Sequence, residues 1–180
     1  MIYCFLADGF EELEAVAPID IIKRGGIDVV TVGVTGDIIN GKHGIKVIPD
    51  KRIDDIELNC ELDGIILPGG LPGATNLENC PQVQNAIDFA FKSGKLICAI
   101  CAAPQILGHK GLLKNKEAIA YPGFENELEG AKISENYVVT DGNFITAKGA
   151  GVAVDFGLAI VSALKGKELS DSIKASIQCK

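Results

Sequence analysis

The sequence predicts an α/β fold in which helices cover both faces of a mostly parallel sheet. Short apolar runs alternate with helical stretches along the chain, which is typical of this fold class. The first run, at residues 2–6, has no polar alternation and therefore suits a central parallel strand that is covered on both faces. The 180 residues, without a linker or an internal repeat, fit one domain.

The remaining elements follow from hydrophobic spacing and from glycine and proline signals. A helix is predicted over 11–24, because Ala15, Ile19 and Ile22 lie on one face and two glycines follow Arg24. Further strands are predicted at 27–34, 63–67 and 95–100, and further helices at 82–93 and 151–165. Two hairpins are predicted, one from 37–40 with 45–48 and one from 137–140 with 144–147.

Composition and charge exclude several function classes. Seventeen basic and twenty-four acidic residues leave a formal charge of −7, so neither nucleic acid nor an anionic membrane is expected as a partner. The longest apolar stretch, 156–164, is shorter than the roughly 20 residues of a membrane span. Residues 1–6 lack the charged region of a signal peptide. With six cysteines in a chain of this length, we expect a cytoplasmic protein with reduced thiols.

Ligands of open parallel sheets bind beyond the carboxyl ends of the strands. One such segment follows the strand predicted at 95–100, where Cys101 precedes two alanines and Pro104. Proline suits the first position of a helix, so the pattern predicts the strand–turn–helix of a nucleophile elbow. The helix N-terminus would favour a thiolate. Two interpretations stay open, a nucleophilic Cys101 or one more buried apolar residue.

Cys98 and Cys101 form a C-x-x-C pair, which raises the alternative of a redox dithiol. Along an extended strand their separation would be about 10 Å, whereas a disulfide tolerates about 7 Å between Cα atoms. The dithiol site is therefore disfavoured. No metal site and no cofactor are expected, since only His43 and His109 are available and no second cysteine pair completes a zinc spacing.

Acidic residues follow the first strand. For Glu11 and Glu12 the helix dipole is a sufficient explanation. Glu14 differs, because Pro18 cannot donate a hydrogen bond to its carbonyl, so the helix is expected to be irregular beside a strand end. A carboxyl buried there would have a raised pKa and could donate a hydrogen bond or move a proton.

A glycine-rich segment follows the strand predicted at 63–67. Gly69 and Gly70 would let backbone N–H groups approach a ligand closely. The spacing matches neither a dinucleotide fingerprint nor a P-loop. An oxyanion-type pocket is therefore favoured over a phosphate site, with an ordinary turn as the alternative.

Three motifs in this order resemble the ThiJ/PfpI superfamily, in the branch of the parkinsonism-associated deglycase and the bacterial YajL protein. They are Asp-Gly-Phe-Glu-Glu-x-Glu at 8–14, Leu-Pro-Gly-Gly-x-x-Gly-Ala at 67–74, and Ile-Cys-Ala-Ala-Pro at 100–104. The resemblance spans the chain and implies a flavodoxin-like three-layer sandwich, with residues 1–180 as one ThiJ/PfpI-like (class I glutamine amidotransferase-like) domain, as a homodimer.

The resemblance also implies roles for individual residues. Cys101 takes the place of the reactive cysteine and Glu14 that of a protonated glutamate beside it. An oxyanion or substrate-binding role falls to Gly69, Gly70 and Ala102. Positions near the site or the dimer interface are Arg24, His43, where some members have arginine, and Tyr121, where other members have histidine.

The activity implied is that of a cofactor-free glyoxalase or deglycase acting on reactive dicarbonyls or early glycation adducts. Tyr121 in place of a histidine base predicts slow turnover. The alternative is an oxidative-stress sensor or redox-regulated chaperone that uses the same cysteine. An amidase or peptidase is disfavoured, because the peptidase branch has histidine where Ala102 follows Cys101.

Overall fold

A computed structural model describes residues 1–179 of the chain. The strands are β1 (Ile2–Leu6), β2 (Val29–Gly33), β3 (Ile39–Asn40), β4 (Lys46–Val47), β5 (Lys51–Arg52), β6 (Gly64–Leu67), β7 (Leu96–Ile100), β8 (Glu117–Ala118), β9 (Lys132–Ile133), β10 (Val138–Asp141) and β11 (Phe144–Ala147). The helices are α1 (Glu12–Arg24), α2 (Gly73–Glu78), α3 (Pro81–Lys92), α4 (Pro104–His109), α5 (Ala153–Lys165) and α6 (Lys167–Ser176).

The central sheet has seven strands in the order β10-β11-β7-β6-β1-β2-β5. Its pairs are parallel apart from the antiparallel hairpin of β10 and β11. The five strands β2-β1-β6-β7-β11 follow the flavodoxin-like order. Since β1 pairs with β2 on one side and with β6 on the other, the topological switch point lies between β1 and β6. A ligand-binding crevice is expected at the carboxyl ends of these strands.

Two hydrophobic cores lie on opposite faces of the sheet. Tyr3 and Phe5 of β1 belong to the core that α3 and α4 cover. Ile2, Cys4 and Leu6 belong to the core that α1, α5 and α6 cover. Every residue of β1 is buried, which explains its uninterrupted apolar run and confirms the predicted three-layer α/β sandwich.

The predicted helices and strands are present with small shifts at their ends, and both predicted hairpins are antiparallel pairs. The sequence did not indicate α2, α6 or the two-residue strands β5, β8 and β9. Only two residues of α6, Ser170 and Ile173, are buried, and two-residue strands are too short for a periodic pattern. Among residues 1–179, no helix combines the length and apolar character that a membrane span requires.

Candidate active site

Residues that follow β1, β6 and β7 meet beyond the carboxyl ends of these strands. They enclose a cavity of about 340 Å³. The residues that line it are Glu11, Glu14, Lys42, Gly70, Leu71, Cys101, Ala102, Tyr121, Phe124 and Ala150. The cavity lies at the position that the switch point of the sheet indicates for a ligand.

Cys101 lies at a sharp turn between β7 and α4. Its φ of 64° is in the left-handed region, which few residues other than glycine adopt. Hydrogen bonds hold this conformation on both sides: its N–H donates to the carbonyl of Ala147, and its carbonyl accepts from the N–H of Tyr121, each at 2.8 Å. Pro104 begins α4 as expected. This is the geometry of an elbow that presents the sulfur to the cavity.

Glu14 projects from the first turn of α1 into the same cavity. The residue is only 1% exposed, and burial raises the pKa of its carboxyl to about 7. The negative charge of Glu11 acts in the same direction. A hydrogen bond with the sulfur of Cys101 and one from the N–H of Gly69 to Oε2, at 3.0 Å, act in the opposite direction. Glu14 therefore exchanges a proton near neutral pH.

The sulfur of Cys101 is held in an environment that opposes its ionisation while Glu14 is charged. Burial first, then the charge of Glu14, raises the pKa of Cys101 to about 12. The backbone N–H groups of Ala102 and Gly70 donate to the sulfur and lower that pKa in part. The N–H of Ala102, just before α4, thus acts in the direction that the sequence predicts, but burial and the charge of Glu14 outweigh it. The thiolate of Cys101 therefore forms more readily when Glu14 is protonated, because the carboxyl then carries no negative charge.

Two glycines allow these groups to approach one another. A Cβ added to Gly69 would lie 2.6 Å from Oε2 of Glu14 and 2.7 Å from Cβ of Cys101. Gly70 has a φ of 85°, and a Cβ there would lie 2.5 Å from the backbone nitrogen of Glu11. A side chain at Gly69 would separate the carboxyl of Glu14 from the sulfur of Cys101, and one at Gly70 would collide with the backbone that precedes α1. The glycine-rich segment is therefore part of the site rather than an ordinary turn.

Glu12 has a role that the helix dipole does not explain. Its Oε1 accepts hydrogen bonds from the backbone N–H groups of His43, at 2.8 Å, and Ile45, at 3.3 Å. Its Oε2 lies 3.0 Å from Nδ1 of His43, which is also 3.4 Å from Oε1 of Glu11. Glu12 thus anchors the β3–β4 hairpin on α1. The three side chains could offer ligand atoms to a cation, but these hydrogen bonds already engage them.

The structure places the other predicted positions at different distances from the sulfur. Tyr121 lines the cavity and is half exposed. His43 lies beside the cavity, bonded to Glu11 and Glu12. Arg24 lies at the other end of α1, about 15 Å along the helix from Glu14, and pairs with Asp20. A single chain therefore does not bring Arg24 to the site.

Five lining residues were not assigned to the site from the sequence: Glu11, Lys42, Leu71, Phe124 and Ala150. Lys42 belongs to the turn of the β3–β4 hairpin, and the hairpin's position over α1 depends on the buried carboxylate of Glu12. Cys98 is buried within β7, in agreement with the extended geometry that disfavours a dithiol.

The sequence model of the DJ-1/PfpI family matches residues 1–163. The chain belongs to the DJ-1/PfpI family. The curated relatives include the Parkinson disease protein 7 homolog of Danio rerio, 35% identical over 96% of this chain and 93% of the relative. The glutathione-independent glyoxalase DJR-1.2 of Caenorhabditis elegans is 35% identical over 91% of this chain and 87% of the relative.

Solved structures of the DJ-1/PfpI family share the whole fold. The oxidized DJ-1 of Toxoplasma gondii has a TM-score of 0.94 at 32% identity, covering 99% of this chain and 97% of that one. Some relatives are longer: protein DJ-1 homolog A of Arabidopsis thaliana is 38% identical over 94% of this chain, which spans 44% of that protein. The resemblance identified from three motifs is confirmed.

Proposed function

We propose that this DJ-1/PfpI chain is a cysteine-dependent, cofactor-free enzyme that converts small α-oxoaldehydes into hydroxy acids. The observation that carries the proposal is the hydrogen bond between the buried carboxyl of Glu14 and the sulfur of Cys101. A nucleophile and a proton carrier with a pKa of about 7 thus face one cavity. The name of the Caenorhabditis elegans relative, a glutathione-independent glyoxalase, supports the same reaction.

The first step joins the sulfur to the substrate. The thiolate of Cys101 adds to the aldehyde carbon, the carbonyl π electrons move to oxygen, and a proton from Glu14 gives a hemithioacetal. The N–H groups of Gly70 and Ala102, which donate to the sulfur in the free protein, stabilise negative charge beside it. The adjacent ketone of the substrate is unchanged at this stage.

The second step moves a hydrogen between neighbouring carbons. The carboxylate of Glu14 removes the proton from the former aldehyde carbon and an enediolate forms. Return of a proton to the former ketone carbon gives a thioester of the hydroxy acid, so one carbon is oxidised and the other is reduced. Water then hydrolyses the thioester, which releases the hydroxy acid and restores the thiol of Cys101. Overall, one oxoaldehyde and one water give one hydroxy acid.

Early glycation adducts are a second substrate class for the same residues. In a hemiaminal of an oxoaldehyde and an amine, the sulfur of Cys101 bonds to the former aldehyde carbon and the C–N bond breaks. The amine leaves with a proton from Glu14, and the product is the hemithioacetal of the first step. We place this deglycase reaction within the proposed function, in a reducing compartment such as the cytoplasm where the thiol persists.

Neither histidine of the chain lines the Cys101 cavity. His43 is bonded to Glu11 and Glu12, and His109 lies between Glu78 and Glu127. A Cys–His dyad of the peptidase type is therefore absent from the lining of this cavity. Tyr121 takes the place of a histidine base, so Glu14 carries the proton transfers alone and turnover is slow.

The test of the proposal is formation of lactate from methylglyoxal by purified protein without added metal or glutathione. Replacement of Cys101 by serine removes the first step, because a hydroxyl without an adjacent base is a weak nucleophile. Glu14→Gln keeps a hydrogen-bond donor but cannot carry a proton. We expect lactate only from the wild-type chain, with Glu14→Gln still forming the thiol adduct.

A second candidate function is oxidation sensing by the same cysteine. The protonated carboxyl of Glu14 and the N–H groups of Gly70 and Ala102 are donors that suit the oxygens of a sulfinate. Peroxide would then add two oxygens to Cys101, as intact-mass analysis measures. A Cys98–Cys101 disulfide, seen as the loss of two hydrogens, would contradict this function.

We also propose that the active form is a homodimer. Leu13 and Val16, exposed by 59% and 52%, share one face of α1 with Asp20 and Arg24, at spacings of three, seven and eleven residues. The exposed apolar residues Ile45 and Ile48 of the neighbouring hairpin extend this face. We call Leu13, Val16, Ile45 and Ile48 the apolar patch. A second copy, packed through a two-fold axis, would cover the patch and bring its own Arg24 towards the cavity.

A further inference from the structure

A second cavity adjoins the one that contains the sulfur. Its volume is about 410 Å³, and its lining consists of Tyr121, Pro122, Tyr137, Lys148 and residues 149–152. We call it the tyrosine cleft. Tyr121 and Ala150 line both cavities, so the cleft begins where the cavity of Cys101 ends. Its volume lies within the range of about 300–1,000 Å³ that is usual for small-molecule sites.

Tyr121 is held in place between the two cavities. Its backbone N–H donates to the carbonyl of Cys101 at 2.8 Å, which ties the tyrosine to the elbow. A Cβ added to Gly149 would lie 3.2 Å from Cδ2 of the ring. Because Gly149 has no side chain, the ring packs directly on the backbone. The wall shared by the cavities is therefore aromatic and fixed.

Tyr137 forms the outer wall of the cleft. Its side chain is 62% exposed, and Nζ of Lys148 lies 4.8 Å from the centroid of its ring. The N–H of Lys148 also donates to the carbonyl of Tyr137 at 2.9 Å. The cation over the ring restrains its orientation. With Pro122 and Val152, the two exposed tyrosines give the cleft aromatic and apolar walls.

We propose that the tyrosine cleft is a substrate subsite that binds an aromatic substituent of the oxoaldehyde reacting at Cys101. Aromatic rings pair favourably with the faces and edges of tyrosine, whereas a methyl substituent has no ring to pair with them. The inference deepens the proposed function and rests on Cys101 as the reacting group. Aryl-substituted oxoaldehydes such as phenylglyoxal are then better substrates than methylglyoxal.

The subsite can be measured without turnover. The rate constant for alkylation of Cys101 is determined by peptide mapping with iodoacetamide and with its N-phenyl derivative, iodoacetanilide. Each value is divided by the rate constant of the same reagent with glutathione, which removes the difference in intrinsic reactivity. One aromatic contact corresponds to a preference of at least about threefold for the phenyl reagent.

Three variants locate the preference. Tyr137→Ala removes the outer wall, and we expect the normalised rate constants of the two reagents with Cys101 to become equal. Tyr137→Phe keeps the ring and should keep the preference, while Phe91→Ala removes an exposed ring of α3 outside both cavities and should also keep it. Val152→Asp places a charge in the cleft and should also abolish the preference for the phenyl reagent.

The outcomes separate the subsite from the proposed reaction. An aryl preference that Tyr137→Ala abolishes supports the subsite, whether or not the protein forms hydroxy acid. Absence of hydroxy acid would overturn the proposed reaction alone. Turnover of methylglyoxal with no aryl preference at Cys101, or with a preference that Tyr137→Ala and Val152→Asp leave intact, overturns the subsite and leaves the reaction standing. Where turnover is present, Tyr137→Ala should lower kcat/KM for phenylglyoxal by about threefold or more relative to methylglyoxal.

Discussion

Glu14 is hydrogen-bonded to the sulfur of Cys101 although the strands that precede them, β1 and β7, lie on opposite sides of β6. Gly69, which follows β6, lies between them and donates its N–H to the carboxyl. The segments that follow β1, β6 and β7 thus meet at the proton between Glu14 and Cys101. Whether that proton lies on oxygen or on sulfur decides the nucleophilicity of Cys101.

The reactivity of Cys101 should follow the titration of the pair. Near pH 7 the pair of Glu14 and Cys101 loses its first proton. Above that pH the two groups share one proton, and Cys101 is a thiolate in the molecules in which Glu14 holds it. We expect the alkylation rate of Cys101 to rise through about pH 7 and level off, below the ordinary thiol pKa of 9.0. Stopped-flow alkylation against pH measures this. A rise only above pH 9, or an unchanged rise at pH 7 in Glu14→Gln, would contradict the shared proton.

Glu14 should also make folding stability depend on pH. Its pKa is raised from 4.5 to about 7, so the folded chain holds the proton more tightly than the unfolded chain, and stability falls as pH rises through this window. At about 1.4 kcal/mol per unit, the free energy of unfolding of Glu14→Gln should gain about 2 kcal/mol on wild type between pH 5 and pH 8.

Urea unfolding at the two pH values gives this difference. Glu168→Gln, which removes an exposed carboxyl in α6, is the matched control and should not reproduce the gain. An equal difference between Glu14→Gln and wild type at both pH values would show that the carboxyl of Glu14 ionises at its ordinary pKa.

The apolar patch should control the oligomeric state. We expect light scattering of the wild-type chain to give about twice the 18.9 kDa of one chain. Val16→Asp or Ile48→Asp should give the single-chain mass, because an unpaired charge in the interface opposes association. Ile133→Asp, at an apolar residue of β9 outside the patch and 46% exposed, is the control. A single-chain mass for wild type would remove Arg24 from the site.

The sequence carried most of the fold because each major element has its own pattern. The uninterrupted apolar run of β1 and the spacing in α1 indicate a covered parallel sheet before any contact is known. Pro104 and the alanines after Cys101 likewise indicate the elbow. The role of Glu14 could be predicted because both its motif and its position beside a strand end indicate a carboxyl in the site.

Other parts of the site depend on contacts between distant segments. Glu12 holds the hairpin that carries Lys42 and His43, and no local pattern distinguishes it from a residue that only matches the helix dipole. The pKa of Cys101 depends on burial and on a carboxylate 87 positions earlier in the chain. The tyrosine cleft joins residues 121, 137 and 148–152, which are neighbours only after the β10–β11 hairpin forms.

The central claim is that Cys101 catalyses formation of a hydroxy acid. The most direct measurement follows lactate from methylglyoxal, with wild type and Cys101→Ser at matched concentrations and without metal or glutathione. Lactate rather than aldehyde is followed, because any exposed thiol consumes aldehyde reversibly. We expect steady lactate formation by wild type, background with Cys101→Ser, and a loss of at least about 100-fold with Glu14→Gln. Lactate that forms no faster with wild type than with Cys101→Ser would contradict the claim.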